Sequence, residues 1–509
     1  MYIVRKIFLF PFLLLFVHSC AGQDMHTKKQ VKEDLNVLRK VIVETDPALS
    51  QKDRKYLNEI FKKQIDSFNR TSTSTLQFIE YFLKINPGRK AHLDEHASMY
   101  LSKPLSDSTL LFPIPIEIID NSIVVNSDSV SIPFGSIILS INDVSVNIQE
   151  LLKKDSISNF EKSLLKDQFS LLYYFAHGSF PEFTVTYKLK PNITETKSAI
   201  IKAVDQRRYF QLMNTSVFPL INNSWRNETN IGYLQQIKTG YLRINSFIDL
   251  KTHFPNIKRR GDTIVQFKEH RQTFEMLFDS IFTDIKKKNV ENLVIDIRNN
   301  GGGDNSIPGL LLSYIYDKSF ADVHKMRMPL ISDVPLDNMI AIDGKNINSK
   351  SDVRKALYRL YDNFHKDGDA YILNTWDVVA PKPNVFKGNL YLLVNGGTFS
   401  AAAYFTALFK YYTKGKIIGE EVGGSHLNLT AGHTLTYQLP NNKLNINMPT
   451  TFISFNDSIA TGIPEKYIKP DIHFSTEEKY KYFSNKKDIS MQAALTLIYK
   501  NLDSVNKKQ

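Results

Sequence analysis

The chain has 509 residues, 42% hydrophobic and 23% charged, which suffices for two or three domains with full cores and excludes a disordered or low-complexity protein. Its formal charge of +12 is dispersed in short runs such as Lys258-Arg259-Arg260 and Lys286-Lys287-Lys288. No nucleic-acid motif accompanies them, so nucleic acid is not an expected partner. Cys20 is the only cysteine, which excludes an internal disulfide.

Arg5 and Lys6 precede an apolar run over residues 7–17 that is too short for a stable membrane span. It leads into Val17-His18-Ser19-Cys20-Ala21-Gly22, which resembles a bacterial lipoprotein processing site. Residues 1–22 are therefore expected to be an export signal, with a lipid on Cys20 holding the mature protein to a membrane of the bacterial cell envelope. Plain cleavage near Ala21 or Gly22 is the alternative. No later segment reads as transmembrane.

Residues 27–104 are expected to be helical in their first part. Val31, Leu35, Leu38, Val41 and Ile42 follow helical spacing, Asp46-Pro47 ends that run, and Tyr56, Leu57, Ile60, Phe61, Ile65 and Phe68 repeat it. Residues 76–85 give a third helical segment before Asn86-Pro87-Gly88. Residues 105–200 are β-rich, with strands over 114–125 and 183–189 and an amphipathic helix near 148–154. In their middle, Gly135-Ser-Ile-Ile-Leu-Ser-Ile-Asn-Asp143 resembles part of a PDZ domain. Such a domain would take an extended peptide by strand addition, with Phe134-Gly135 near its groove.

From residue 230 to 475 the pattern is α/β. Strands are expected over 241–245, 292–298, 390–395 and 416–419, with helices over 274–285, 310–316 and 401–412 and a hairpin through Pro440-Asn441-Asn442. Strands alternating with helices imply parallel pairing and right-handed crossovers. The stretch 317–387 reads as a mixed, partly helical excursion without strong strands, suited to a lid or substrate wall. Residues 476–509 form a C-terminal helical tail.

Two of the strands end in glycine turns. Asn292-Leu-Val-Ile-Asp-Ile-Arg298 runs into Asn299-Asn300-Gly301-Gly302-Gly303, and Leu390-Tyr-Leu-Leu-Val-Asn395 runs into Gly396-Gly397-Thr398-Phe399-Ser400. A serine at the start of a helix faces unpaired N–H groups and the positive end of the helix dipole, which suits a nucleophile that develops negative charge. The first turn offers backbone donors of the kind an oxyanion hole needs. Ordinary strand-to-helix turns account for the same residues equally well.

These pieces, in this order, resemble the tail-specific, or C-terminal processing, peptidases and their tricorn-type relatives. The resemblance rests on Ile295-Asp-Ile-Arg-Asn-Asn-Gly-Gly-Gly303, Asn395-Gly-Gly-Thr-Phe-Ser-Ala-Ala402, Ile418-Gly-Glu-Glu-Val-Gly-Gly-Ser-His426 and Lys469-Pro470-Asp471-Ile472. It implies an α/β fold with a crotonase-like core and a PDZ-like insert. It implies hydrolysis of peptide or protein substrates with no cofactor, through Ser400 and an oxyanion hole of Gly302, Gly303 and Ala401.

The chain departs from the branch that pairs serine with lysine. Ser425 stands at the lysine position, and Ala403 replaces an acidic residue common three places after the serine. The tricorn-type branch uses histidine, which maps to His96 in Asp94-Glu95-His96-Ala97. A neutral imidazole can take the serine proton near neutral pH. Glu465 best matches the acid that orients it, with Asp457 and Glu420 as rivals. Two other readings stay open: a peptide- or ligand-binding lipoprotein on the same scaffold, and a zinc peptidase through the H-x-x-E-H of His92, Glu95 and His96.

Overall fold

The computed structural model describes residues 25–75, 77–78, 96–101, 109–146, 148, 157–218, 229–248, 263–347, 349–455, 457–463, 465 and 467–506. The leader with Cys20, His92 and Glu95, and most of the segments 76–85 and 148–154 lie outside the described residues.

Helical periodicity near the N-terminus produces two helices, Lys28–Thr45 and Gln51–Ser67. Each starts in a capping box, Thr27 with Gln30 and Ser50 with Asp53, which satisfies otherwise orphaned N–H groups. The first stops at Thr45 because Asp46, placed before a proline, is driven to extended backbone. Leu35, Leu38, Leu57, Phe61 and Ile65 share one buried core.

The β-rich stretch is an antiparallel sheet in the order Ile116–Ile119, Ser122–Val125, Ile137–Ile141, Glu182–Lys188, Lys197–Lys202, with the short strand Val144–Ser145 on the third. The helix Asn159–His177 lies against it. Alternation along Glu182–Lys188 turns Phe183, Val185 and Tyr187 inward, where Phe183 meets Phe112 and Tyr173 edge-on. Phe134-Gly135, expected beside an open groove, is covered instead. The Phe134 ring stacks on Phe483 at 4.7 Å, and the Tyr480 hydroxyl donates to the Gly135 carbonyl. Both partners come from the C-terminal helix Thr476–Ser484, whose apolar face needs this burial.

The α/β half holds a five-stranded sheet in the order Asn230–Leu234, Thr239–Arg243, Asn292–Asp296, Asn389–Val394, Lys416–Gly419; the last four are parallel. Asp296 registers with Leu393, so the ends of the two strands that lead into glycine turns lie side by side. In an open parallel sheet this C-terminal end is where ligands bind. The helix after the second turn, Ala401–Tyr412, is buried continuously from Ala401 to Phe409. Its sequence is apolar on nearly every side, and such a helix belongs in an interior.

The excursion 317–387 differs from the expectation. It contains Phe320–Pro329 and Ala370–Val379, paired antiparallel over ten residues, and Phe320–Pro329 also pairs with Leu444–Phe455. Phe-Ala-Asp-Val-His-Lys-Met-Arg-Met-Pro has no β-branched run, so the strand arises from a distant partner rather than from local propensity. The same eight-stranded sheet takes Ser98–Leu101 against Leu444–Phe455. Ile472 bridges Ile418 at the edge of the parallel sheet, and Asp471 accepts the Ile417 N–H at 2.8 Å. Among the described residues no helix is long and apolar enough to cross a membrane.

Candidate active site

The two glycine turns are locked to each other by side-chain amides. Asn299 N–H donates to Asn395 Oδ1 at 2.9 Å, and Asn395 Nδ2 donates to Asn299 Oδ1 at 2.8 Å. The Thr398 hydroxyl donates to the Ile297 carbonyl at 3.0 Å, and Phe399 N–H donates to the Asn300 carbonyl at 2.9 Å. Neither turn can shift without breaking these bonds.

Just below the first turn, Asp296 is fully buried and accepts from Arg298 at 2.7 Å, Arg243 at 3.0 Å and the Tyr241 hydroxyl at 2.6 Å. Burial raises a carboxyl pKa, but the two guanidiniums and the hydroxyl outweigh it and bring Asp296 down to about 2. Arg298 is held from its other side by Asp488 at 2.7 and 2.8 Å.

Ser400 sits at φ 54°, ψ −127°, a conformation that L-residues adopt only under strain, at roughly 1–3 kcal/mol. Ser50, Ser158, Ser349 and Ser475 each cap a helix with their hydroxyls, whereas Ser400 makes no such bond. Gly302, at φ 91°, lies against Ser400: a side chain there would come within 2.7 Å of both Ser400 Cβ and Ala401 N. The third motif closes the other side, since a Cβ on Gly424 would stand 2.8 Å from Ser400 N. Ser425, at the position of the missing lysine, is therefore next to the serine turn, and its hydroxyl accepts the Leu427 N–H at 3.2 Å.

The three expected oxyanion donors differ. Gly302 N–H is already engaged by Asn300 Oδ1 at 2.8 Å, so its contribution is close approach rather than donation. The N–H groups of Gly303 and Ala401 donate to no described acceptor.

His96 comes from a turn two residues ahead of Ser98–Leu101, and its ring lies 4.7 Å from that of Phe399, the residue before Ser400. A strand pairing with Leu444–Phe455 thus carries a histidine more than 300 residues away in sequence to the serine turn. No hydrogen bond joins Ser400 to His96; in unliganded sites such bonds are often long. Glu465 is exposed and forms no hydrogen bond or ion pair with another described residue. Asp457 is exposed at the start of the helix Asp457–Gly462. Glu420 faces Lys479 at 3.8 Å on the wall of a cavity of about 220 Å³ that also includes Arg298, Lys166 and Lys487. His426 is buried, with Nε2 2.9 Å from the Ile463 carbonyl, a structural anchor. His96 is not on a helix, as the zinc arrangement of H-x-x-E-H requires.

Sequence reasoning missed Phe399, Phe160, the Asn299–Asn395 lock and a buried cluster one turn along the serine helix. There the Tyr404 hydroxyl donates to Asp322 at 2.9 Å, and His324 Nε2 approaches the same carboxylate at 3.0 Å. Desolvation, with Asp322 adjacent, pushes the Tyr404 hydroxyl well above its ordinary pKa.

Residues 238–474 match peptidase family S41. This segment is a peptidase S41 domain. The family confirms the resemblance drawn from the four motifs and brings with it the class of serine-type hydrolases. Mature CPAF in complex with lactacystin superposes on the chain with a TM-score of 0.55 at 15% identity, covering 94% of this chain and 99% of that one. Mature CPAF alone gives 0.51 at 15% identity, covering 90% and 95%. At such identities the likeness is one of fold. No curated protein matches the sequence.

Proposed function

We propose that this S41 domain is an active serine peptidase of tricorn type. Ser400 Oγ adds to the scissile carbonyl carbon while His96 takes its proton. The oxyanion is held by the N–H groups of Gly303 and Ala401. Collapse breaks the C–N bond, His96 returns the proton to the departing amine, and water then repeats the sequence on the acyl-enzyme. Glu465 is the acid assigned to orient His96. The α/β half serves as a crotonase-like core and residues 105–200 as a PDZ-like insert, in an exported lipoprotein anchored through Cys20.

One observation carries this reading. Ser400 is strained and uncapped, lies against Gly302 of the glycine turn, and follows a phenylalanine that touches His96. A covalent fluorophosphonate reagent tests it: the wild type is labelled and hydrolyses an unfolded protein such as casein, whereas Ser400→Ala does neither. Labelling that persists in Ser400→Ala, or a wild type that never labels, overturns the mechanism. The exposure of Glu465 favours a second reading, a binding protein on the same scaffold, which predicts peptide retention without labelling.

A further inference from the structure

The helix Asn159–His177 belongs to the β-rich insert. Its Ser170 hydroxyl donates to the Phe112 carbonyl at 2.6 Å, its Tyr173 hydroxyl to the Ile141 carbonyl at 2.9 Å, and Lys166 pairs with Glu117 of the sheet at 3.1 Å. Its N-terminus, however, rests on the serine turn. A capping box between Ser158 and Glu161 makes that first turn rigid. The Asn159 carbonyl abuts the α-carbon of Gly396, leaving no room for a side chain there.

Phe160, the next residue, is buried and stacks on Phe399 with centroids 4.4 Å apart and planes only 13° from parallel. Phe399 in turn touches His96 at 4.7 Å and 31°. Three rings thus run from the insert helix, through the residue preceding Ser400, to the histidine. Aromatic pairs hold a preferred offset geometry, so a ring backed by a fixed neighbour transmits that neighbour's position.

We infer that Phe160 is a positioning residue for the catalytic pair. It fixes the Phe399 ring, and the Phe399 ring fixes the imidazole of His96 relative to Ser400. The insert therefore completes the active site mechanically, supplying a wall against which the base is aligned. This inference rests on the assignment of Ser400 and His96 given above. It makes helix Asn159–His177 the element through which a displacement of the insert reaches the chemistry.

The experiment compares Phe160→Leu, which keeps most of the volume but removes the ring, with Phe160→Tyr, which keeps the ring. The reagent is a fluorophosphonate, analysed for its maximal inactivation rate and its half-saturating concentration. Misplacement of a catalytic group by about an ångström costs up to about a hundredfold in rate. Phe160→Leu should slow maximal inactivation by about ten- to a hundredfold with half-saturation within about twofold. Phe160→Tyr should remain near wild type.

The second readout does not depend on activity. In protein carrying isotope-labelled histidine, the His96 ring resonance, assigned by its loss in His96→Gln, should move in Phe160→Leu and stay in place in Phe160→Tyr. An unmoved resonance in Phe160→Leu overturns the inference. So does a loss of activity in Phe160→Tyr equal to that in Phe160→Leu, which would mark general packing. A wild type inert to the reagent would sink the peptidase assignment, while the resonance would still decide whether Phe160 positions His96.

Discussion

Asn299 and Asn395 exchange two hydrogen bonds across neighbouring strand ends, and those bonds set the distance between the two glycine turns. Asn395 Oδ1 also accepts the Gly397 N–H at 3.1 Å, so one amide holds two backbone N–H groups and the Asn299 side chain. Asn395→Ala leaves these groups unpaired in a part-buried site, at about 1–3 kcal/mol for an unsatisfied group. We expect a loss of about 2–4 kcal/mol in urea denaturation and fluorophosphonate labelling reduced at least about tenfold. Labelling at wild-type rates would show that the lock is dispensable for chemistry.

Gly302→Ala should abolish labelling without altering far-ultraviolet circular dichroism. The added methyl would lie 2.7 Å from Ser400 Cβ, at a φ of 91° that alanine resists. Normal labelling of a folded Gly302→Ala protein would mean that the turn gives way locally and the close approach has no catalytic meaning.

Ser400→Gly and Ser400→Ala should part company in stability. Both remove the hydroxyl, which forms no helix cap, so neither loses a capping bond. Glycine also relieves the positive φ, and should therefore be the more stable of the two by about 1 kcal/mol in chemical denaturation. Equal midpoints would indicate that the strain at this residue is absorbed elsewhere.

Asp296 predicts an acid limb in stability. Its folded pKa of about 2 lies below the ordinary carboxylate value of about 3.8, so its contribution is fully present above about pH 4 and is lost as the pH falls toward 2. Asp296→Asn should flatten that limb. At neutral pH it should cost about 3–5 kcal/mol, because Arg298 and Arg243 lose the carboxylate they surround. An unchanged denaturation profile between pH 4 and pH 2 would contradict the assignment.

The sequence made the local elements readable wherever periodicity was strong. The buried helix Ala401–Tyr412, the two N-terminal helices and the parallel strands follow from alternation, capping and apolar runs. The motifs placed Ser400 and the glycine turns because the turn chemistry is written in consecutive residues. What stayed illegible depends on long-range partners. Phe320–Pro329 and Ala370–Val379 become strands through each other and through Leu444–Phe455. Phe399 and Phe160, more than 230 residues apart, read as ordinary core aromatics until the insert helix is set on the serine turn. The covering of Phe134 by Phe483 has the same cause, since no local pattern links residues so far apart.

The bidentate pairing of Arg298 with Asp488 carries a consequence for biosynthesis. Asp488 precedes the helix Ile489–Asn506 and lies well beyond Ser400 in the chain, so Arg298 lacks this partner when the serine turn has just been made. Translation proceeds from the N-terminus at about 5–20 residues per second. A nascent chain whose Ser400 has emerged must therefore wait several seconds more for Asp488. A chain interrupted between Ser400 and Asp488 therefore carries the serine turn without this brace on Arg298.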